Sequence, residues 1–518
     1  MAKLKLLAAK IQPKQSKKAL VEAAPKSRSK DVVLEKPVKK ASKVTEPVEE
    51  EAPAVFTPRK SGRGKIPEYF TSKEFLDLSK QLDKVEGKVK CNSVYMETKG
   101  FIEYPISTGI LTYDLKLGGG LAGGRVHVEY GGERSAKTTR ATTLLGNCVV
   151  DSIFPSYYDA ETAISPSYMD KILKNSCGFT LQQLQGVLNE KGEWEEPPLI
   201  RYYAENMGRK FFEIMHETLM LLPDIYKDRH NNYFKVYPKR GGGEDYVECD
   251  GYPQMLFLED SVAALNPSMK GDITDENNTM AALARLLSWG FPLVKGLLGQ
   301  KNVALFMTNQ LRHRPGQLMG DPKYMSGGDS FYHNNDMRAF TEARHCKAKE
   351  MQCAELGFDM KSGENTSSEP SIEGGRDEYN YQRIRIEKNK MHTAGKTALM
   401  RTRNTHNGRP GDGICETYDM YQYLRATGQV TLRKACLTLN VEGVTSGKKI
   451  PDLLGANGTA MPWIKFKEFI EDRKVYKECL RQHCFKQIHS GFAFELEAKA
   501  SKLNGGSIDD ADMNTDDD

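Results

Sequence analysis

The chain has 518 residues, 39% hydrophobic and 28% charged, with a formal net charge of +5; this suits a water-facing protein long enough for two or more domains. No run of about 18 apolar residues occurs, which excludes a helical membrane span, and Met1–Lys10 is too short and too charged for a secretory signal. The charge is unevenly spread: residues 1–65 hold 17 Lys/Arg against seven Asp/Glu, and the closing stretch DDADMNTDDD holds six aspartates. A basic head and an acidic tail suit polyanion binding with a built-in electrostatic competitor, or two solvated disordered ends.

In chain order, residues 1–68 lack apolar periodicity and read as a disordered basic tail ending in TPRKSGRGK, a basic arm for a DNA backbone or a plain linker. Over 69–99, TSKEFLDLSKQLDKVEG predicts a helix, with Thr71/Ser72 as cap and Phe75, Leu76, Leu78 and Leu82 as its apolar stripe. From residue 100 to 430 short apolar runs (RVHVEY, SYYDAE, LIRYYAE, QMLFLED, VALFMTNQ) alternate with helical stretches such as RKFFEIMHETLMLL and NTMAALARLLSWGF. That alternation predicts an α/β fold with a mainly parallel, twisted central sheet flanked by helices. Two polar stretches interrupt it: 225–253, read as an inserted hairpin with a Gly-rich tip, and 360–378, read as a flexible loop. Residues 431–500, around Trp463 and KFKEFIEDRKVYKECL, predict a small α+β C-terminal domain, and 501–518 an acidic disordered tail. The ten cysteines include no C-x-x-C pair; Cys346 with Cys353, and Cys479 with His483 and Cys484, come nearest to metal spacing, and the set reads as reduced thiols of an intracellular protein.

The stretch GGERSAKTT (131–139) sits between the strand RVHVEY and the helical KTTRATTLLGNCVV. A strand, a glycine-rich turn and a helix opening on Lys-Thr form an anion cradle. Backbone N–H groups of Gly131, Glu133, Arg134, Ser135, Ala136 and Thr139 would face phosphates, Lys137 would reach the terminal ones, and Thr138 would hold Mg²⁺. The phosphate-loop pattern asks for glycine where this chain has Ala136. A positive φ at that position would cost of order 1 kcal/mol or more, a negative one a fraction of that. Three further strands end in polar residues: Asp159-Ala160-Glu161, Glu259-Asp260-Ser261 and Thr308-Asn309-Gln310. Sites of parallel sheets form at the carboxyl ends of the strands, so these groups should converge on ATP, with Asp260 ordering Mg²⁺ and water.

These residues resemble the bacterial RecA recombinase family across roughly 70–495. STGILTYDLKLGGGLAGGR leads into the phosphate loop, DAETAISPSY is similar to the catalytic-glutamate segment, and FLEDSVAALNP to the second nucleotide motif. TNQLRHRPGQLMGDPKYMSGG resembles the sensor and DNA loop, and EKNK the paired lysines. The resemblance implies a P-loop ATPase core, with residues 69–99 serving oligomerisation. It implies that Glu161 polarises the attacking water, Tyr168 stacks on adenine and Gln310 senses the γ-phosphate. Lys388 and Lys390 would reach the ATP of a neighbouring subunit. Residues 269–287, with Met280 and Arg285, and the loop Arg312–Gly328 would face DNA. In that loop Arg312, His313 and Arg314 would supply phosphate contacts, and Gly316, Gly320, Gly327 and Gly328 would let the strand approach. Met280, Leu318, Met319 or Tyr324 would wedge between bases.

The resemblance therefore implies an ATP- and Mg²⁺-dependent DNA recombinase that forms helical homo-oligomeric filaments on single-stranded DNA and pairs it with double-stranded DNA. It would act in recombination and repair in the cytoplasm, alongside single-strand-binding and mediator proteins and away from membranes. An ATP-binding filament scaffold with little hydrolysis, or a DNA motor on the same fold, are the alternatives. Departures from the family are Ala136, Ser165 in place of an aspartate near adenine, and Pro292, expected to interrupt a helix where a basic residue would face DNA. With the basic head and the 225–253 insertion, they point towards a phage-encoded member.

Overall fold

The computed structural model describes residues 104–503 apart from 134, 192, 229–231, 240–241, 268–275, 314–322, 345–377, 407–408, 434–435, 442–444, 451–461 and 472, together with five positions between 73 and 84. The chain divides into two units, Met1–Val94 and Tyr95–Asp518. In the first, Lys73, Asp77, Lys80, Gln81 and Lys84 are helical and exposed, the polar face of the helix expected there; its apolar stripe lies outside the described residues, as do the basic tail and residues 360–377 of the stretch expected to be a flexible loop, whose last residue, Glu378, begins a strand.

The second unit is built on a ten-stranded sheet. Its strands are β1 (Val126–Gly131), β2 (Phe154–Asp159), β3 (Arg201–Tyr203), β4 (Met255–Asp260), β5 (Val303–His313), β6 (Lys323–Met325), β7 (Met337–Arg344), β8 (Glu378–Asn389), β9 (Thr397–His406) and β10 (Arg409–Ile414). The order is β10-β9-β8-β7-β1-β5-β4-β2-β3, with β6 paired to β5 outside that path. The run from β7 to β3 is parallel, whereas β8, β9 and β10 extend it antiparallel. The fold is thus α/β with a large, mainly parallel central sheet, as the alternating pattern predicted. MLFLED in β4 is buried along its whole length, the near-continuous apolar run that a strand covered on both faces requires.

Helices cover both faces. On one, α2 (Lys137–Val150) and α3 (Pro166–Cys177), with α1 (Leu111–Leu117) before them in the chain, help to bury Leu144, Leu145, Leu173 and Tyr157. On the other, α4 (Gly208–Leu221) and α5 (Glu276–Lys301) bury Phe211, Phe212, Leu287, Phe291 and Val294. Helix α5 runs through Pro292 rather than stopping there, a correction to the sequence reading. Proline removes one backbone donor, and here the bond lost is the one to Ser288, an exposed position accessible to solvent. The buried stripe Leu283-Leu287-Phe291-Val294-Leu298 holds the helix together across the gap.

The 225–253 insertion is not a hairpin but a three-stranded antiparallel sheet, Asp224–Lys227, Tyr233–Pro238 and Glu244–Cys249. Gly242 and Gly243, both at positive φ, make the second turn, and the polar stretch around Asp228 hid the first. Beyond α6 (Gly328–Asn334) and α7 (Glu416–Ala426), the C-terminal part pairs Val430–Arg433, Cys436–Val441 and Thr445–Ile450 into a small sheet. Helices α8 (Pro462–Glu471), α9 (Lys474–His489) and α10 (Phe492–Leu503) follow. Its core includes Leu111 and Leu115 of α1 and Tyr418 and Tyr421 of α7, so no packing boundary falls at residue 431. Asp419 of α7 caps α1 by accepting from the backbone N–H groups of Leu111 (2.7 Å) and Thr112 (3.0 Å).

Candidate nucleotide site

Strand β1 ends at Gly131 and the chain turns through Ser135 and Ala136 into α2. A side chain at Gly131 would place its Cβ 2.1 Å from the Thr341 carbonyl oxygen, so the sheet itself demands glycine here. Ala136 adopts φ 59° and ψ 28°, the left-handed conformation that glycine occupies without strain. No side chain caps α2 and no acidic residue stands in its first turn. The leading N–H groups of a helix need acceptors, and this end is open to an anion.

Lys137 folds back over the loop, its Nζ donating to the carbonyls of Gly131 (3.1 Å) and Gly132 (2.8 Å) and to Ser135 Oγ (3.0 Å). Burial pulls its pKa below the ordinary lysine value, offset by the carboxylates of Glu129, Asp260 and Glu161. Ser135 in turn donates to the Gly132 carbonyl (2.7 Å). At the root of the loop the buried Arg140 pairs with Glu129 and donates to Thr341 (3.2 Å), fixing α2 against β1 and β7.

The polar strand ends converge beside this loop. Gln310 pairs by backbone register with Gly131, and its Nε2 donates to Glu161 Oε1 at 2.6 Å. Ser261 Oγ donates to the same carboxylate oxygen. Asp260 accepts from Thr308, Thr138 and Tyr157 (3.3 Å for the last), and burial raises its pKa while the Thr308 and Thr138 hydroxyls lower it. Asp159 holds the turn leading to Glu161, accepting from Thr162 N (2.7 Å) and Tyr202 OH (2.7 Å). Glu259, beside Asp260 in the strand, is fully buried, with neither carboxylate oxygen hydrogen-bonded among the described residues. Burial, with the carboxylates of Asp260 and Glu161 nearby, raises its pKa far above the usual range. Tyr168, in the first turn of α3, sits within 3.0 Å of Thr139 Oγ1 through its hydroxyl, which sets its ring at the edge of the loop. Ser165 caps α3, accepting from Tyr168 N at 3.3 Å.

Among the sequence-selected residues, Lys137, Thr138, Glu161, Asp260 and Gln310 thus form one cluster, with Tyr168 at its edge; Glu133 lies in the loop and Arg134 outside the described residues. Ser261 and Thr308 were not singled out, although both stand in the quoted strand ends; parallel register, which sets Thr308 beside Asp260, is the signal that finds them. Lys388 and Lys390 do not join the cluster. Lys388 is level with Arg338, and so with Val128, three residues before the loop's first glycine or about 10 Å down the strand. Its Nζ lies 3.4 Å from the carbonyls of Tyr332 and His333, while Lys390 pairs with Asp336 (2.9 Å), which directly precedes β7 at the end of that strand away from the loop.

Towards the other candidate surface, β5 continues from Gln310 into Arg312, which is exposed and paired by backbone to Tyr324 of β6. Asn309 Nδ2 donates to the Ser326 carbonyl (2.8 Å), tying β5 to the turn before α6. Gly327 in that turn has φ 108° and is buried; a Cβ there would meet Leu287 Cδ1 at 2.7 Å, so packing against α5 accounts for it. Gly328 is exposed and faces Ala284 of α5. Arg285 is exposed on α5; Met280 lies on the same helix with its side chain outside the description, and Arg314 and Gly316 fall outside the described residues.

Comparison with known proteins adds a family. Residues 252–363 match the RecA N-terminal domain model. A protein RecA from a Nostoc species is 29% identical over 227 residues, 43% of this chain and 49% of the relative, so the chain spans about half the length of that relative. Protein RecA of Helicobacter pylori (strain G27) is 27% identical over 318 residues, 57% of this chain and 75% of the relative, and that of Helicobacter acinonychis 29% over 258, covering 48% and 58%. With the parallel sheet and the clustered strand ends already in place, these matches support a RecA-family protein.

Proposed function

We propose that the chain is an ATP-dependent DNA recombinase that polymerises on single-stranded DNA and exchanges strands with a homologous duplex. The observation that carries the reading is the Gln310–Glu161 hydrogen bond, because β5 passes without a break from that glutamine to the exposed Arg312. One strand thereby links the group beside the γ-phosphate to the DNA-facing hairpin.

The loop fits the triphosphate of ATP. Its uncapped helix end supplies donors, and Lys137 would exchange its carbonyl contacts for phosphate oxygens. Among the described residues no three His, Cys, Asp or Glu converge as a metal site, so Mg²⁺ would rest on the Thr138 hydroxyl, on Asp260 through water, and on phosphate oxygens. When bound, Mg²⁺ would neutralise charge on the phosphates. Glu161 accepts the proton of the attacking water, and Gln310 and Ser261 hold its carboxylate in place. Lys388 and Lys390, set back from their own loop towards the N-terminal end of β7, would serve the ATP of the adjoining subunit, as a filament's head-to-tail contact would arrange. Hydrolysis then weakens the grip on DNA and lets subunits leave. Strand exchange between a homologous oligonucleotide pair, followed with and without ATP, tests the reading: exchange that needs both ATP and homology supports it, and none under any nucleotide condition contradicts it.

A further inference from the structure

At the end of β1 and β7 away from the phosphate loop, two lysines share one carboxylate. Asp336, which directly precedes β7, is 1% exposed. Its Oδ1 accepts from Lys390 Nζ at 2.9 Å and lies 3.7 Å from Nζ of Lys295 on α5. Its Oδ2 accepts from the Val126 N–H at 3.1 Å. Burial pushes the carboxyl pKa up, but the hydrogen bonds from Lys390 and Val126 and the charges of the two lysines outweigh it, so the group stays below its ordinary value. Asp336 is therefore a buried anion that requires a cation beside it.

Its backbone is fixed as firmly as its side chain. Asp336 N donates to the Val126 carbonyl (2.8 Å), and the Asp336 carbonyl accepts from Lys390 N (3.1 Å). The residue is thus wedged between the start of β1, the strand that ends at the phosphate loop, and the chain just beyond β8. Its carboxylate cannot follow the Lys390 ammonium when that moves away. The lysine side chains are freer, 49% exposed for Lys390 and 32% for Lys295. Lys388 rests on the Tyr332 and His333 carbonyls (3.4 Å each), so within the pair Lys390 is tied to a carboxylate and Lys388 to neutral oxygens.

An ammonium engaged by a carboxylate offers a phosphate less of its charge, so Lys390 has to leave Asp336 in order to serve the ATP of an adjoining subunit. A buried carboxylate left without its cation is strongly unfavourable, which holds Lys390 in place. Lys295 lowers that barrier, because it already stands near the same oxygen while donating to the Asn334 carbonyl (2.6 Å). We propose that Asp336 is a positioning residue that keeps Lys390 in reserve, and that Lys295 replaces Lys390 on the carboxylate when an adjoining subunit presents its ATP. The proposal rests on the shared-site reading given above. The exchange keeps the lysine of an unassembled subunit neutralised and releases it where a phosphate competes for it.

The test is steady-state ATP turnover per subunit, measured with a fixed amount of single-stranded DNA while the protein concentration is raised. Partly exposed ion pairs shift an equilibrium by up to about fivefold, so effects of about threefold are expected. Asp336→Asn keeps an acceptor for the Val126 N–H but loses the charge, and should reach half-maximal turnover at about threefold lower protein concentration than the wild type. Lys295→Met should need about threefold more protein, yet should change nothing in the Asp336→Asn background, where no carboxylate is left to neutralise. A merely structural contact at Asp336 gives no gain on its removal and no such dependence on background. An Asp336→Asn protein that needs as much protein as the wild type, or more, overturns the proposal, as does a Lys295→Met loss of equal size in both backgrounds. Lys295 is partly exposed, so its variant decides should Asp336→Asn misfold: an unchanged requirement in folded Lys295→Met overturns the exchange. Wild-type turnover per subunit that does not rise with protein concentration contradicts the shared-site reading itself.

Discussion

Ala136 is the residue at which the phosphate loop departs from its pattern, and its φ of 59° sets a sharp expectation for Ala136→Gly. The left-handed conformation costs an alanine about 1–2 kcal/mol that glycine escapes. Glycine in turn makes the unfolded chain more flexible, returning about 0.4–1 kcal/mol of that gain. The variant should therefore be more stable by about 0.5–1 kcal/mol, read as a raised midpoint in chemical denaturation with an unchanged slope. Because the strain is already present before nucleotide arrives, it is common to the free and bound loop and cancels from the binding equilibrium. ATP affinity and turnover should consequently change by less than about threefold, a shift of about 0.7 kcal/mol. A tenfold or larger rise in turnover would refute this reasoning, since it would mean that the methyl group obstructs the phosphates and that the natural chain is a poor hydrolase.

Glu161→Ala should bring turnover to background while ATP-dependent binding of single-stranded DNA persists; rapid hydrolysis by this variant contradicts the base assignment. Gln310→Ala should leave ATP binding within about threefold and remove the effect of nucleotide on DNA affinity, measured by anisotropy with and without ATP; retained nucleotide dependence contradicts the sensor role. Lys388→Ala and Lys137→Ala should each be inactive alone, yet a mixture should regain part of the turnover, because some interfaces then combine an intact loop with an intact lysine pair. A mixture as inactive as its parts contradicts the shared site. Asp114 accepts from Ser107 and Thr108, and burial pushes its pKa up to about 7 against an ordinary value of 3.8. The folded state thus holds a proton that the unfolded state releases near pH 4, so this contribution is complete below pH 4 and is lost as pH rises to 7, by roughly 4 kcal/mol. Asp419, pushed up to about 6 by burial, acts with the same sign. Denaturation midpoints between pH 4 and 8 should fall more steeply in the wild type than in Asp114→Asn; parallel profiles contradict the shift.

The central strands β4 and β5 were legible because each begins as a buried apolar run and ends in polar residues, which is how they announced Asp260 and Gln310 before any contact was known. The conformation of Ala136 was not legible, since composition does not report the sign of φ. The location of Lys388 and Lys390 was equally hidden: their distance from the loop follows from β8 running antiparallel to β7, a pairing across a long polar stretch. The inserted sheet passed as a hairpin because its first strand, DIYK, is short and half-exposed and gives no alternation to read. Pro292 was read as a break because local propensity was weighed without the buried stripe that carries α5 past it.

If the proposed ATP cluster acts on the proposed DNA-facing hairpin through β5, DNA must in turn change ATP turnover. Steady-state ATP turnover with and without saturating single-stranded DNA measures that link directly. A rise of at least about tenfold with DNA is expected, weakened by added salt as phosphate contacts are screened. Turnover that is the same with and without DNA would contradict it.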